Sequence, residues 1–262
     1  MNLLLSDKAA LVIAGSKGIG KGIATTLAAE GCRVIITSHS HENLKKAALE
    51  IKEKTKKDVA TFVMDLNSSE SIESSCRQIS SSVPRIDILI TNGPGPKLDD
   101  ATKVNLKALE GALAINLVSA IKLCNYFLPG MIERKFGRII HLTSTIAKEP
   151  DQGMVLSSIS RAGLLAYSKS LAKEVARYGV TVNSILTGGV MTERTIFLIQ
   201  ESAKKQNIAY DDLLKRAHEE VPVGYISTPE QFSYAIAFLA SPLSMYLTGI
   251  SLPIDGGTMK MI

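Results

Sequence analysis

A chain of 262 residues that is 45% hydrophobic and 21% charged can bury a full core and is too apolar to stay disordered. Its 30 basic and 25 acidic residues leave a charge of +5, dispersed rather than clustered, which argues against nucleic acid and suits phosphate-bearing ligands. No apolar run approaches the roughly 20 residues of a membrane span, and Leu3, Leu4 and Leu5 ahead of Asp7 are too few for a signal peptide. Cys32, Cys76 and Cys124 are odd in number and widely spaced, so they form neither a disulfide framework nor a zinc pattern. A cytoplasmic protein is expected, with no metal, membrane or nucleic-acid partner.

In chain order, residues 9–14 (AALVIA) read as a strand and 21–30 as a helix. Residues 33–37 (RVIIT) read as a second strand before a helix over 42–57. Residues 58–64 lead into a helix over 69–82, and 86–91 (IDILIT) precede a long helix over 106–133. Residues 138–143 (RIIHLT) precede a helix over 157–178. Residues 180–186 (VTVNSIL) form a sixth strand, and 250–254 a seventh after a helix over 229–239. Short apolar strands, each followed by a helix, predict a parallel sheet covered on both faces. The expected fold is one α/β domain over residues 1–262, doubly wound and Rossmann-type, with about seven strands. Ligands of such a sheet bind beyond the carboxyl ends of its strands. The long connection over 191–227 lies at that end, with amphipathic helices over 193–205 and 210–219. It reads as a lid or as a packing appendage.

The turn after the first strand is Ala14-Gly15-Ser16-Lys17-Gly18-Ile19-Gly20. Glycines there let the backbone approach a diphosphate, which the helix amino terminus attracts. Here the sequence resembles the short-chain dehydrogenase/reductases over almost its whole length. Ala14 takes the first position of their G-x-x-x-G-x-G motif, and Gly18 and Gly20 take the others. Alanine fits such a turn unless its φ is positive. The other family-like features follow in order. They are Asp65-Leu66 where the family's acid meets adenine, Thr91-Asn92-Gly93 after the fourth strand, and Asn116 in the long helix. Ser144 stands at the active-site serine. Thr187-Gly188, Val190 and Thr192 stand along the nicotinamide loop, and Asp255-Gly256-Gly257 near the carboxyl terminus. The resemblance implies nicotinamide-cofactor binding by Ala14, Ser16, Lys17, Gly18, Ile19, Gly20, Ser38, His39, Asp65, Leu66, Asn92, Gly93, Arg161, Gly188, Val190 and Thr192.

One signature departs. The family carries Tyr-x-x-x-Lys on the helix after the fifth strand, the tyrosine moving the hydroxyl proton and the lysine lowering its pKa. In register with Ala162-Gly163-Leu164, and thirteen residues after Ser144, this chain has Ser157 and Arg161. The two share one helix face at i, i+4. A phenol near pKa ~10 can be brought into range by a cation, whereas an aliphatic hydroxyl starts far higher. Arginine holds its proton but donates hydrogen bonds to a ribose or a carbonyl. Ser157 reads as a helix amino-terminal cap or a proton carrier, and Arg161 as a surface cation or a ribose or substrate contact. The expected catalytic set is Ser144, Ser157, Arg161 and Asn116. Tyr167 lies too far along the helix, Tyr126 reads as packing, and His141 faces away from Ser144. Lys148, Glu149 and Asp151 lie in the loop after Ser144, within reach of a substrate or simply solvated.

No acid follows the second strand until Glu42, and Lys17, Ser38 and His39 suit a 2′-phosphate, so NADP is favoured over NAD. The expected function is hydride transfer between that cofactor and a small carbonyl or alcohol, with atypical proton transfer. The alternative is a catalytically silent nucleotide-binding protein. A homotetramer or homodimer is expected through helices 106–133 and 157–178, with Leu164, Leu165 and Leu171 serving either interface or core.

Overall fold

A computed structural model describes residues 2–261. Seven strands form one parallel sheet: β1 (Ala9–Val12), β2 (Arg33–Ser38), β3 (Ala60–Val63), β4 (Ile88–Thr91), β5 (Gly137–Leu142), β6 (Val180–Thr187) and β7 (Ser251–Ile254). Their order is β3-β2-β1-β4-β5-β6-β7. The direction of winding reverses between β1 and β4, which opens a crevice at the carboxyl ends of those two strands.

The strands alternate between two cores. Ala10, Val12, Ile88 and Ile90 face the helices α1 (Gly18–Ala29), α2 (His41–Thr55) and α9 (Pro229–Ala240), where Ile23, Leu27, Leu44 and Phe232 are buried. Leu11, Ile13, Leu89 and Ile139 face α3 (Ser69–Ser82), α5 (Ser119–Glu133) and α6 (Val155–Val175), where Ile79, Leu123, Phe127 and Leu171 pack. Burying each such side chain contributes about 1.5–3 kcal/mol. Leu164 and Leu171 belong to the core, and Leu165 is half-buried.

The expected single helix over 106–133 is instead three pieces. α4 (Leu106–Leu113) runs into a π-helical turn at Ala114–Val118 before α5 begins. The stretch Leu106–Glu133 spans 28 residues with a mean hydropathy of 1.4 in its most apolar window, so by length and composition it could cross a membrane. That property was missed in the sequence. In the fold its apolar face, with Leu123, Phe127 and Met131, packs on the sheet.

Two further helices, α7 (Glu193–Gln206) and α8 (Tyr210–Glu219), stand outside the sheet layers. Their segment is closed at its base, where Val190 pairs with Ser227 and the Met191 amide donates to the Ser227 carbonyl at 2.8 Å.

Candidate active site

The glycine turn folds as its motif requires, with one difference. Ala14 has φ +51°, a left-handed conformation that costs a non-glycine residue about 1–2 kcal/mol. The sequence expectation that alanine suits this position holds only for negative φ, so the site carries backbone strain. A side chain at Gly20 would put its Cβ 2.4 Å from the Ala14 carbonyl oxygen, and one at Gly18 would sit 3.2 Å from Thr192 Cγ2. The turn is therefore packed tightly against the carboxyl side of β6. Lys17 precedes α1 as an extended, exposed residue whose side chain makes no capping bond, and no acid stands in the first turn. That helix end has free N–H groups to offer an anion.

Beside the turn, Ala14, Ser38, His39, Asp65, Leu66 and Asn67 line one pocket beyond β1, β2 and β3. Asp65 is shaped by its own loop: Oδ1 accepts from the Asn67 amide at 2.9 Å, and its own amide donates to Ser71 Oγ at 2.9 Å. Ser38 Oγ accepts from the Ser40 amide, and Ser40 in turn caps α2. The sequence reading singled out five of the six residues named. Asn67 has no motif and was missed. The concave pocket, the tight glycine turn and the uncapped helix end together fit an adenine dinucleotide.

Across the switch point, Asn92, Gly93 and Asn116 line a smaller cavity with Leu142 and Leu164. Asn116 is buried in the π-helical turn, and its Nδ2 donates to the Ala112 carbonyl at 3.2 Å. Ser119 Oγ donates to Ile115 at 2.5 Å. Side-chain bonds to the helix carbonyls accompany the local widening of the helix. Asn92 Nδ2 lies 3.1 Å from where a Gly20 Cβ would be, so this loop touches the glycine turn. Gly188 packs against Asp255, where a Cβ would meet the Asp255 Cα at 2.6 Å, and Val190 is buried.

Ser144 follows β5, and its Oγ donates to the Thr187 carbonyl at 3.4 Å. The turn Thr145–Ala147 that it opens packs on α6. Ser157 is not a helix cap. α6 begins at Val155 behind Met154, so Ser157 sits in the first turn, buried, with its Oγ accepting from Arg161 Nη1. Arg161 is not a surface cation either. Its Nε is buried with no partner among the described residues. Burial, and then the charge of Arg194, lowers its pKa to about 10, so it stays protonated at neutral pH. A buried donor without an acceptor costs about 1–3 kcal/mol, more when charged.

His141, Tyr167 and Glu149 are closed off as alternative acids. His141 is fully buried, its Nδ1 paired with Thr91 Oγ1 at 2.7 Å, and burial lowers its pKa to about 4, so it is neutral at pH 7. Tyr167 lies beside His141 and Cys124, and burial pushes its phenol well above the ordinary range. Glu149 is not free to meet a substrate, because Oε1 accepts from the amides of Lys260 and Met261 at 2.8 and 2.5 Å. Asp151 accepts from the Gln152 amide. Lys148 is exposed. Tyr126 is partly exposed against Phe127.

At the base of the 191–227 segment, Thr192 caps α7 by accepting from the Thr195 amide at 3.2 Å. Two residues on, Arg194 reaches back to the β4 loop, and its Nη1 donates to the Gly95 carbonyl at 3.3 Å. The sequence reading missed Arg194, because no spacing links it to Arg161.

This geometry agrees with what the chain resembles. A family profile described as enoyl-(acyl carrier protein) reductase matches residues 13–259. The 3-oxoacyl-(acyl-carrier-protein) reductase of Aquifex aeolicus is 33% identical over 257 residues, covering 98% of this chain and 99% of the relative. The L-sorbose reductase of Gluconobacter frateurii, solved with NADPH and L-sorbose, superposes with a TM-score of 0.95 at 27% identity over all of both chains. An NADPH-bound short-chain oxidoreductase of Pseudomonas aeruginosa PAO1, described as containing an atypical catalytic centre, gives 0.89 at 26% identity, covering 98% of this chain and 99% of that one. The chain belongs to the short-chain dehydrogenase/reductase family of NAD(P)-dependent oxidoreductases.

Proposed function

We propose that this chain is an NADPH-dependent reductase of small carbonyl compounds that works without a tyrosine acid. The observation that carries the reading is Arg161, its Nε buried and its Nη1 held by Ser157, on the helix α6 that packs on the turn after Ser144. Glycine-turn residues Ala14, Ser16, Gly18, Ile19 and Gly20 would cradle the diphosphate at the α1 end. Asp65 and Leu66 would bound the adenine, and Lys17, Ser38 and His39 the 2′-phosphate. Asn92, Gly93, Gly188, Val190 and Thr192 would flank the nicotinamide end, with Arg161 near its ribose. NADPH in the solved Gluconobacter and Pseudomonas relatives supports NADP over NAD.

A nicotinamide cofactor, when bound, would supply the hydride. Arg161 donates to the carbonyl oxygen, joined by Ser144 once its hydroxyl turns from its long bond to the Thr187 carbonyl, and together they stabilise the negative charge that develops there. Ser157 fixes the guanidinium. Asn116 holds the widened helix turn behind the site. With His141 neutral and Tyr167 buried, the proton that completes the alcohol comes from water or from Lys148. The segment 191–227 closes over the site about its Val190–Ser227 base. A groove of Leu128, Ile132, Leu171 and Tyr178 on α5 and α6 supports assembly into a dimer or tetramer, which sedimentation would read. Relatives that are named reductases weigh against the silent nucleotide binder.

The test is NADPH oxidation against a panel of ketones, sugars, oxo acids and acyl thioesters. Turnover of any of them, preferring NADPH to NADH, is expected. Tight NADPH binding with no turnover across the panel contradicts the proposal.

A further inference from the structure

Two cations at this site have no counter-charge. Neither Arg161 nor Arg194 takes part in an ion pair among the described residues, although nearby surface cations such as Lys21 and Lys54 do. The acids of the neighbourhood are engaged elsewhere. Glu193 faces Lys21 at 4.0 Å, and Asp255 accepts from the amides of Gly257 and Met259. Asp99 accepts from the Asn105 amide, and Glu149 holds the carboxyl-terminal segment.

The arginines come from neighbouring elements at the carboxyl end of the sheet. β4, β5 and β6 are consecutive in the sheet, so the loops carrying Gly95, Ser144 and Arg194 border the same space, and α6 packs on the middle one. Arg194 bridges the outer loops through its bond to Gly95, with its guanidinium in van der Waals reach of the Gly95 Cα side, 3.6–3.8 Å from where a Cβ would lie. Arg161 enters from α6 with one nitrogen on Ser157 and Nε unpartnered. Burial lowers its pKa first, and the Arg194 charge lowers it further. Like charges converging on a cleft are relieved when an anion lies between them, and guanidinium groups match carboxylates in a planar, two-pronged way.

We propose that the substrate carries a carboxylate near its carbonyl, and that Arg194 and Arg161 bind it together. The inference rests on the reductase reading and narrows its substrate class to oxo acids. The cofactor's diphosphate is the other anion in reach. The uncapped α1 end and glycine turn already serve it, which leaves the arginine pair for the substrate.

Initial rates with NADPH are to be compared for 2-oxohexanoate, 4-oxopentanoate and their methyl esters, in the unmodified chain and in Arg194→Gln. At least one acid should exceed its ester in kcat/KM by about tenfold or more, and Arg194→Gln should raise the KM of that acid about tenfold and bring the acid-to-ester ratio near one. NADPH affinity should change by less than about threefold, since the pair binds substrate. Equal rates for acids and esters overturn the proposal. So does an Arg194→Gln that weakens NADPH and leaves the ratio unchanged, because the arginine then serves the diphosphate. If neither acids nor esters turn over, the reductase reading fails rather than this one. Calorimetric titration of hexanoate into the NADPH complex then decides: binding abolished by Arg194→Gln supports the carboxylate site, and no binding refutes it.

Discussion

The two sides of the switch point depart from their family's pattern in different ways. On the β1–β3 side, the glycine turn, the α1 end and the pocket by Asp65 keep the family's shape, although Ala14 replaces a glycine at a positive φ. On the β4–β6 side, the helix widens into a π-helical turn at Asn116, and the proposed proton-transfer positions carry Ser157 and Arg161. Dinucleotide binding depends on backbone amides, close approach and a helix dipole, so one strained alanine is absorbed at about 1–2 kcal/mol. Proton transfer depends on one group's pKa, and no backbone geometry substitutes for that. Binding and chemistry are therefore separable in this fold.

Breaking the arginine should have the largest effect. Arg161→Ala removes the proposed donor to the developing oxyanion and should lower kcat by about 10²–10³, as steady-state rates would show. If kcat hardly changes, Arg161 serves the ribose alone. Restoring the family pair, Ser157→Tyr with Arg161→Lys, should raise kcat by about tenfold or more on substrates whose binding does not need Arg161. No gain would mean that the cleft around α6 has been reshaped beyond these two positions.

On the other side of the sheet, Ser38→Asp places a carboxylate where a 2′-phosphate would lie. It should weaken NADPH by about tenfold and leave NADH nearly unchanged, measured by fluorescence titration. The pH dependence separates the two halves further. Arg161 acts protonated, and its pKa is lowered to about 10, so activity should be lost as pH rises through about 10. Below that it should show no step near neutrality from His141, whose pKa is lowered to about 4. The smallest effect is expected at the strained turn. Ala14→Gly relieves the positive φ at some cost in chain entropy and should stabilise the fold by up to about 1 kcal/mol in thermal or urea unfolding, with cofactor affinity kept.

The sheet was legible because its signal is local. Runs such as 33–37 and 138–143 carry the unbroken apolarity of strands buried on both faces, and their neighbours carry a helical period. The nucleotide side of the site was legible for the same reason, since its residues lie within one turn of a strand end. The break at Ala114–Val118 was not, because it is associated with side-chain bonds from Asn116 and Ser119 that leave the apolar period intact. Ser157 was misread as a possible cap because helix starts carry serines, while the real start lies at Val155. The Arg194 bond to Gly95 and the Glu149 clasp on residues 260 and 261 are long-range contacts, 99 residues apart in the one case and 111 and 112 in the other. Arg138 was read as a strand residue and is a fully buried cation at the far end of the sheet. It is held by the Ser241 and Gly137 carbonyls and stacked 4.4 Å from the Phe136 ring.

The central claim is that this site transfers hydride although its tyrosine and lysine are gone. Its most direct test supplies NADPH deuterated at the transferable C4 position, together with an oxo acid, and follows the label by mass spectrometry. The account predicts one deuterium in each molecule of alcohol formed, with one NADP⁺ per alcohol. Unlabelled oxo acid alongside intact, tightly bound deuterated NADPH, for every carbonyl offered, would contradict it.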